Sequence, residues 1–204
     1  MKRVGFIVNP VAGMGGAVGL KGTDGEETLK KAIALGAKPI APMRAEIFLS
    51  HLKKMNCEFC LFAAAGKMGE MEAKRIGLSC ISVGKPKEKT EPSDTKISAE
   101  LLMKEGIDLL VFCGGDGTAR DIMDVIDLNL PVLGVPTGVK MHSAVFAVNP
   151  EAAARIAARF LSDGLPLREA EVMDVDEEAF RAVSYTHLRA HETRHDLVCR
   201  LLLE

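Results

Sequence analysis

The sequence predicts an α/β fold, doubly wound, with a mainly parallel sheet and helices on both faces. Three observations carry this expectation. Short apolar runs of strand character alternate with segments of helical periodicity along most of the chain. The runs are nearly continuously apolar instead of alternating, as strands covered on both faces are. Two of them end in glycine-rich loops, the place where open parallel sheets collect ligands.

Taken in order, Val4–Val8 is an apolar run with β-branched ends that stops at Asn9-Pro10, the pattern of a buried strand entering a loop. Six glycines between Gly13 and Gly25 make the next stretch a long loop. Helical periodicity follows at Glu26–Leu35 and at Arg44–Met55. Glu58–Ala65 reads as a strand, Lys67–Ile76 as a helix and Leu78–Val83 as a strand. Lys85–Pro92 is charged and proline-bounded, an exposed loop, after which Ser93 or Asp94 caps a helix whose apolar stripe includes Ile97, Leu101 and Leu102. Gly106 ends that helix. Asp108–Cys113 is a further apolar run, followed by Gly114-Gly-Asp-Gly-Thr118 and by helical character over Ala119–Asp127. Pro131–Val135 is a short strand, and Asn149-Pro150 opens a helix over Glu151–Leu161.

Composition narrows the function. With 204 residues the chain supports one or two domains and a core that needs no disulfides. Its 26 basic and 28 acidic residues leave a formal charge of -2, so no global field attracts nucleic acid or an anionic membrane, and neither is expected as a partner. Any bound anion must be held locally. The first apolar stretch is too short for a leader, and no run approaches the roughly 20 residues of a spanning helix. Five scattered cysteines argue against a disulfide framework and for a cytoplasmic protein. Cys57-x-x-Cys60 has redox or half-zinc spacing, yet no second such pair follows, and burial at the start of a strand is the expected role. No metal-ligating set of side chains is expected.

Two loops carry the chemistry. Gly114-Gly115-Asp116-Gly117-Thr118 offers amides without Cβ obstruction ahead of a helix N-terminus, an anion site with one carboxylate inside it. A carboxylate beside bound phosphates is costly unless it accepts a proton from a hydroxyl nucleophile or holds Mg²⁺; the plainer reading is an Asp-Gly helix cap. Asn9-Pro-Val-Ala-Gly13-Met-Gly15-Gly16 fits neither standard template: Val18 stands where G-x-G-x-x-G needs its last glycine, and no Walker sequence occurs. Its predicted place beside the other loop suggests joint phosphate binding, which requires both loops at one edge of the sheet. Thr137, Lys140, His142 and Ser143 follow the next strand and could line the same cleft, Lys140 as a counter-charge. Asp121 and Asp124 share a helix face, Asp121 as a first-turn complement to the dipole or as a support for a metal.

These two loops, together with Gly134-Val-Pro-Thr-Gly-Val-Lys-Met-His-Ser-Ala-Val-Phe-Ala147, resemble the ATP- or polyphosphate-dependent NAD kinase-like family. Its longer prokaryotic subgroup is the better likeness, to which Gly19–Gly25 also corresponds. The resemblance spans about residues 1 to 182 and implies the N-terminal domain of that fold. It implies an enzyme, a phosphotransferase that moves a phosphoryl group from ATP or polyphosphate to the 2′-hydroxyl of NAD, giving NADP, with Mg²⁺ or another divalent cation. Asp116 would be the catalytic residue. Asn9, Gly13, Gly15, Gly16, Gly114, Gly115, Gly117, Thr118, Thr137 and Lys140 would bind the donor. NAD is then the acceptor, and the intact protein is expected to be a homo-oligomer. GGDG also occurs in diacylglycerol and sphingosine kinases, so a lipid or other small-molecule kinase is one alternative, and a nucleotide- or polyphosphate-binding module without catalysis is another.

One departure and one anomaly bear on domain organisation. Family kinases carry an Asn-Glu motif in a second, β-rich domain, and this sequence has no Asn-Glu pair. Residues 1–168 are expected to form the α/β domain and 169–182 the start of a truncated β-rich domain, with Glu171–Val175 as its entering strand. Residues 183–204 resemble a translated sequencing adapter and are expected to be a non-native tail making few contacts with the core. The same tail spaces His187, His191 and His195 at i, i+4, i+8, which is also the spacing of a helical metal site. On the adapter reading, the chain is a fragment with little kinase activity of its own.

Overall fold

The computed structural model describes residues 1–18, 26–138, 141–172 and 198–202. The Gly19–Gly25 stretch, Lys140, the three tail histidines and residues 173–197 lie outside them.

The strands are β1 (Lys2–Val8), β2 (Phe59–Ala64), β3 (Ile81–Val83), β4 (Leu109–Gly114), β5 (Pro131–Pro136), β6 (Leu167–Glu171) and β7 (Val198–Leu202). The helices are α1 (Met14–Ala17), α2 (Glu26–Ala34), α3 (Ile40–Lys54), α4 (Glu70–Arg75), α5 (Pro92–Lys104), α6 (Asp116–Ile126) and α7 (Pro150–Ser162). One sheet holds all seven strands in the order β3-β2-β1-β4-β5-β7-β6. Every pairing is parallel except β6 with β7. The expected doubly wound α/β architecture is therefore present. The order reverses between β1 and β4, which makes their shared carboxyl ends the crevice of the sheet.

Side-chain alternation along the strands builds a core on each face. Val4, Phe6 and Val8 of β1 and Leu109, Val111 and Cys113 of β4 face α3 and α7. Ile7 of β1 and Leu110 and Phe112 of β4 face α5 and α6. Phe6 stacks on Phe48 of α3 with ring centroids 5.8 Å apart, and Phe112 meets Phe146 edge-on at 5.3 Å. Losing such a buried ring costs about 3–5 kcal/mol.

Several boundaries differ from the sequence reading, each for a local reason. Helix α5 starts at Pro92, whose fixed φ suits a first helical position; the cap is Glu91 and not Ser93 or Asp94, and Asp94 sits three residues past that cap, reaching back to the Glu91 amide at 2.9 Å. Helix α6 starts at Asp116, three residues before Ala119: Gly114 ends β4, Gly115 is the extended cap, and Gly117 already holds helical backbone. Asp121 is consequently in the second turn, where Lys96 of α5 lies 3.9 Å from it and 2.5 Å from Asp124. Helix α3 begins four residues before Arg44, at Ile40.

The carboxyl-terminal strands depart further. Leu167–Glu171 runs antiparallel to β7 at the edge of this same sheet, so the 168/169 boundary falls inside one strand. Val198–Leu202 pairs with both β5 and β6, so this part of the tail does not stand clear of the core. The outer edge of β5 offers backbone amides and carbonyls to a further strand, and Val198–Leu202 takes that place.

Candidate phosphate site at the sheet crevice

The two glycine loops meet at one edge, as their shared cleft requires. Val8 and Cys113 are register partners, and the Asn9 amide donates to the Cys113 carbonyl at 2.9 Å. One residue beyond, the Asn9 side-chain Nδ2 donates to Thr118 Oγ1 at 3.0 Å, while its Oδ1 accepts the Val11 amide at 3.3 Å. Asn9 thus shapes its own turn and ties it to the first turn of α6. Thr118 is buried, 3% exposed.

The glycines divide into two kinds. A Cβ on Gly114 would lie 2.5 Å from the Thr118 Cβ, and one on Gly13 would lie 2.4 Å from the Thr137 carbonyl oxygen. Gly13 also has φ +82°, a backbone that side-chain-bearing residues rarely adopt. These two are glycine because protein atoms crowd them. A Cβ on Gly115 or Gly117 would meet nothing within 4 Å. Packing does not explain glycine there, whereas close approach of a ligand to bare amides does. Gly15 and Gly16 belong to α1, a single turn.

Asp116 opens α6 and is held from one side. Its Oδ1 accepts the Ser143 amide at 2.8 Å, the Ser143 hydroxyl at 2.5 Å and the His142 amide at 3.2 Å. Among the described residues its Oδ2 accepts only the His142 amide, at 3.0 Å, which leaves lone-pair capacity for another donor. The segment that supplies these donors is pinned to the sheet. Val145 accepts the Gly134 amide at 2.8 Å and Ala147 donates to the Gly134 carbonyl at 3.0 Å. Glycine at 134 is required, since its Cβ would lie 2.5 Å from the Phe146 ring. His142 thus contributes its backbone, and Ser143 both backbone and side chain.

Thr137 follows β5 and joins the cluster through its amide, which donates to the Gly114 carbonyl at 3.2 Å. It is 1% exposed, and its hydroxyl has no hydrogen-bond partner among the described residues. Arg44, to which the sequence reading gave no site role, stands beside it: Nη1 donates to the Pro136 carbonyl at 2.9 Å. Arg44 is half-buried and lies in the second turn of α3, and no local feature of the sequence marks it as a site residue. Cys113, fully buried behind the crevice, has its thiol pushed far up by burial, against the opposing pull of the Arg44 charge, so the protonated thiol is favoured.

The described residues contain no group of three or more His, Cys, Asp or Glu side chains able to hold a metal ion. With Asp116 engaged by four donor contacts, a divalent cation fits this crevice as a companion of phosphate oxygens and water, the usual state of Mg²⁺, and not in a protein cage. Within the described residues no helix is long and apolar enough to cross a membrane. No curated protein matches the chain. A family model described as the ATP-NAD kinase N-terminal domain matches residues 4–165.

Proposed function

The chain belongs to the NAD kinase family through its ATP-NAD kinase N-terminal domain, and on that premise we propose that it binds a phosphoanhydride donor and serves transfer of a phosphoryl group to the 2′-hydroxyl of NAD. The donor is ATP or polyphosphate and the product NADP, in a cytoplasmic enzyme. The observation that carries the reading is the meeting of Asp116, with a free Oδ2 lone pair, and the open amides of Gly115 and Gly117 at the crevice between β1 and β4.

Phosphoryl transfer asks a protein for positioning and for charge neutralisation. Gly115, Gly117 and the positive end of α6 offer the donor phosphates amide hydrogens, and a divalent cation bound with them supplies further neutralising charge. Ser143 and His142 fix the Asp116 carboxylate so that Oδ2 can take the acceptor proton. The hydroxyl oxygen then forms the new P–O bond, the bridging P–O bond of the donor breaks, and ADP or a shortened polyphosphate leaves.

The test compares the parent protein, with its own sequence after Ala182, against its Asp116→Asn variant. NADP formation from NAD with either donor should fall by about two to four orders of magnitude in kcat, with little change in donor KM. Wild-type turnover in the variant would reduce Asp116 to a helix-start residue. Donor binding without any NADP formation in the parent protein would leave a binding module.

A further inference from the structure

We propose that Arg44 is the cation that grips a phosphate of the donor chain, with the Thr137 hydroxyl as its neighbouring donor. This rests on the phosphotransfer reading and adds to it the ligand chemistry, a phosphoanhydride chain carried either by a nucleoside triphosphate or by inorganic polyphosphate.

Arg44 and Thr137 meet at the Pro136 end of β5, each with unused donor capacity. Arg44 is half-buried, and its one hydrogen bond is to the Pro136 carbonyl at 2.9 Å; among the described residues no carboxylate pairs with it. A guanidinium carries five N–H donors in a planar fork, so most of its capacity is unused. The residue after Pro136, Thr137, is 1% exposed and its hydroxyl has no partner among the described residues. Burying a donor without an acceptor is costly, and half-burying a cation without an anion more so. A single oxyanion at this point satisfies both groups.

Placement supports the same ligand. Helix α3 covers one face of the sheet and α6 the other. Arg44 therefore comes to the crevice from one wall and Asp116 from the opposite wall. The Gly13 turn is packed directly on the Thr137 carbonyl. A phosphate chain entering along the bare amides of Gly115 and Gly117 meets a cation only on the Arg44 side, among the described residues of these loops. The competing structural role is a simple one, a cap on the Pro136 carbonyl at the end of β5.

The two roles separate in a binding experiment on the 204-residue chain. Titration calorimetry with inorganic tripolyphosphate and with MgATP is run on the wild type, Arg44→Gln, Arg44→Lys and Lys104→Gln, the last an exposed lysine at the end of α5. Arg44→Gln should weaken both ligands about 10- to 100-fold, the range for a hydrogen bond to a charged group. Arg44→Lys should keep the charge but lose the fork, giving a drop of a few fold. Lys104→Gln should bind as the wild type does. Tighter MgATP than tripolyphosphate identifies the nucleotide as the source of the chain, and the reverse identifies the inorganic polymer. Thermal melts show which variants fold; if Arg44→Gln does not, Arg44→Lys decides, and wild-type affinity in it overturns the proposal. Equal affinity in folded Arg44→Gln and wild type also overturns it, leaving Arg44 as a carbonyl cap and the phosphotransfer reading intact. Failure of the wild type to bind either ligand removes the donor site itself, and Arg44 with it.

Discussion

Asn9 and Thr118 are joined side chain to side chain, Nδ2 to Oγ1 at 3.0 Å, and this bond fastens the loop after β1 to the helix after β4. It sits at the base of the crevice and is partly buried, so its loss should be felt in both stability and binding. Asn9→Ala removes it together with the turn bond to Val11, and an unfolding free energy lower by about 1–2 kcal/mol is expected from urea titration. Asn9→Asp keeps the oxygen that accepts the Val11 amide and replaces the Nδ2 donor with a second acceptor oxygen, the Thr118 hydroxyl now donating. That variant should hold most of its stability yet lose tripolyphosphate affinity, because it adds a negative charge beside the phosphates.

The glycines of the second loop should behave in opposite ways. Gly114→Ala drives a Cβ to 2.5 Å from the Cβ of Thr118, a β-branched residue on a helix that cannot swing aside. A loss of about 1–3 kcal/mol is expected, the cost of overpacking a close contact. Gly115→Ala meets nothing in the protein. Its melting temperature should match the wild type while its MgATP affinity falls, since the methyl group occupies space the phosphates need. A Gly115→Ala protein that binds MgATP unchanged would remove the cradle.

A pH-dependent contribution is expected from Glu70, which accepts the Gly66 amide at 2.8 Å and the Lys74 ammonium at 2.5 Å. The amide first, and the ammonium with it, hold its carboxyl down at about 2, against 4.5 for an unperturbed glutamate. A depressed acid stabilises the fold above its unfolded value and loses that contribution as the pH falls toward its folded one. Glu70→Gln should therefore cost about 1 kcal/mol at pH 7, and the gap to the wild type should close between about pH 4.5 and pH 2 in denaturant titrations.

Glu72 should show the opposite sign. It is 2% exposed, Oε2 has no partner among the described residues, and Arg75 lies 3.6 Å from Oε1. Burial, the largest influence, pushes its carboxyl above the usual range, and Arg75 only partly opposes it. A raised acid favours the fold below its unfolded value of 4.5 and works against it as the pH rises through the folded one. Glu72→Gln should accordingly be more stable than the wild type at pH 7, with the difference vanishing below about pH 4.5. A variant less stable than the wild type at pH 7 would mean that the charged form is needed where it stands.

What could be read from the sequence was whatever local chemistry decides. The β1 and β4 strands are apolar runs with clear stops, and both sites of glycine-rich backbone were visible, as was their common edge once a parallel sheet was inferred. The start of α6 was not, because Gly114–Gly117 spells a loop by propensity while the strand before it and the helix after it hold the backbone helical from Asp116. Arg44 was illegible for a different reason: its place at the crevice depends on α3 crossing back over β5, and nothing near position 44 records that crossing. The donors on Asp116 were half legible. Ser143 could be placed near the cleft, but the amides of His142 and Ser143 point to Asp116 only because Gly134 lets Phe146 close against the sheet.

Asn9 and Thr118 stand 109 positions apart in the chain. Between them lie β2, β3 and the helices that cross over the sheet, so the bond that completes the crevice closes only after that whole length has been threaded and paired. Contacts of such separation pay their loop-closure entropy before they return any stabilisation, and domains built on them refold slowly, with a high contact order. The crevice is consequently a late product of folding. Recovery of ligand binding after dilution from denaturant should lag behind recovery of helical signal, and a lesion anywhere between β1 and β4 that slows their pairing will delay the appearance of binding without touching a single residue of the site.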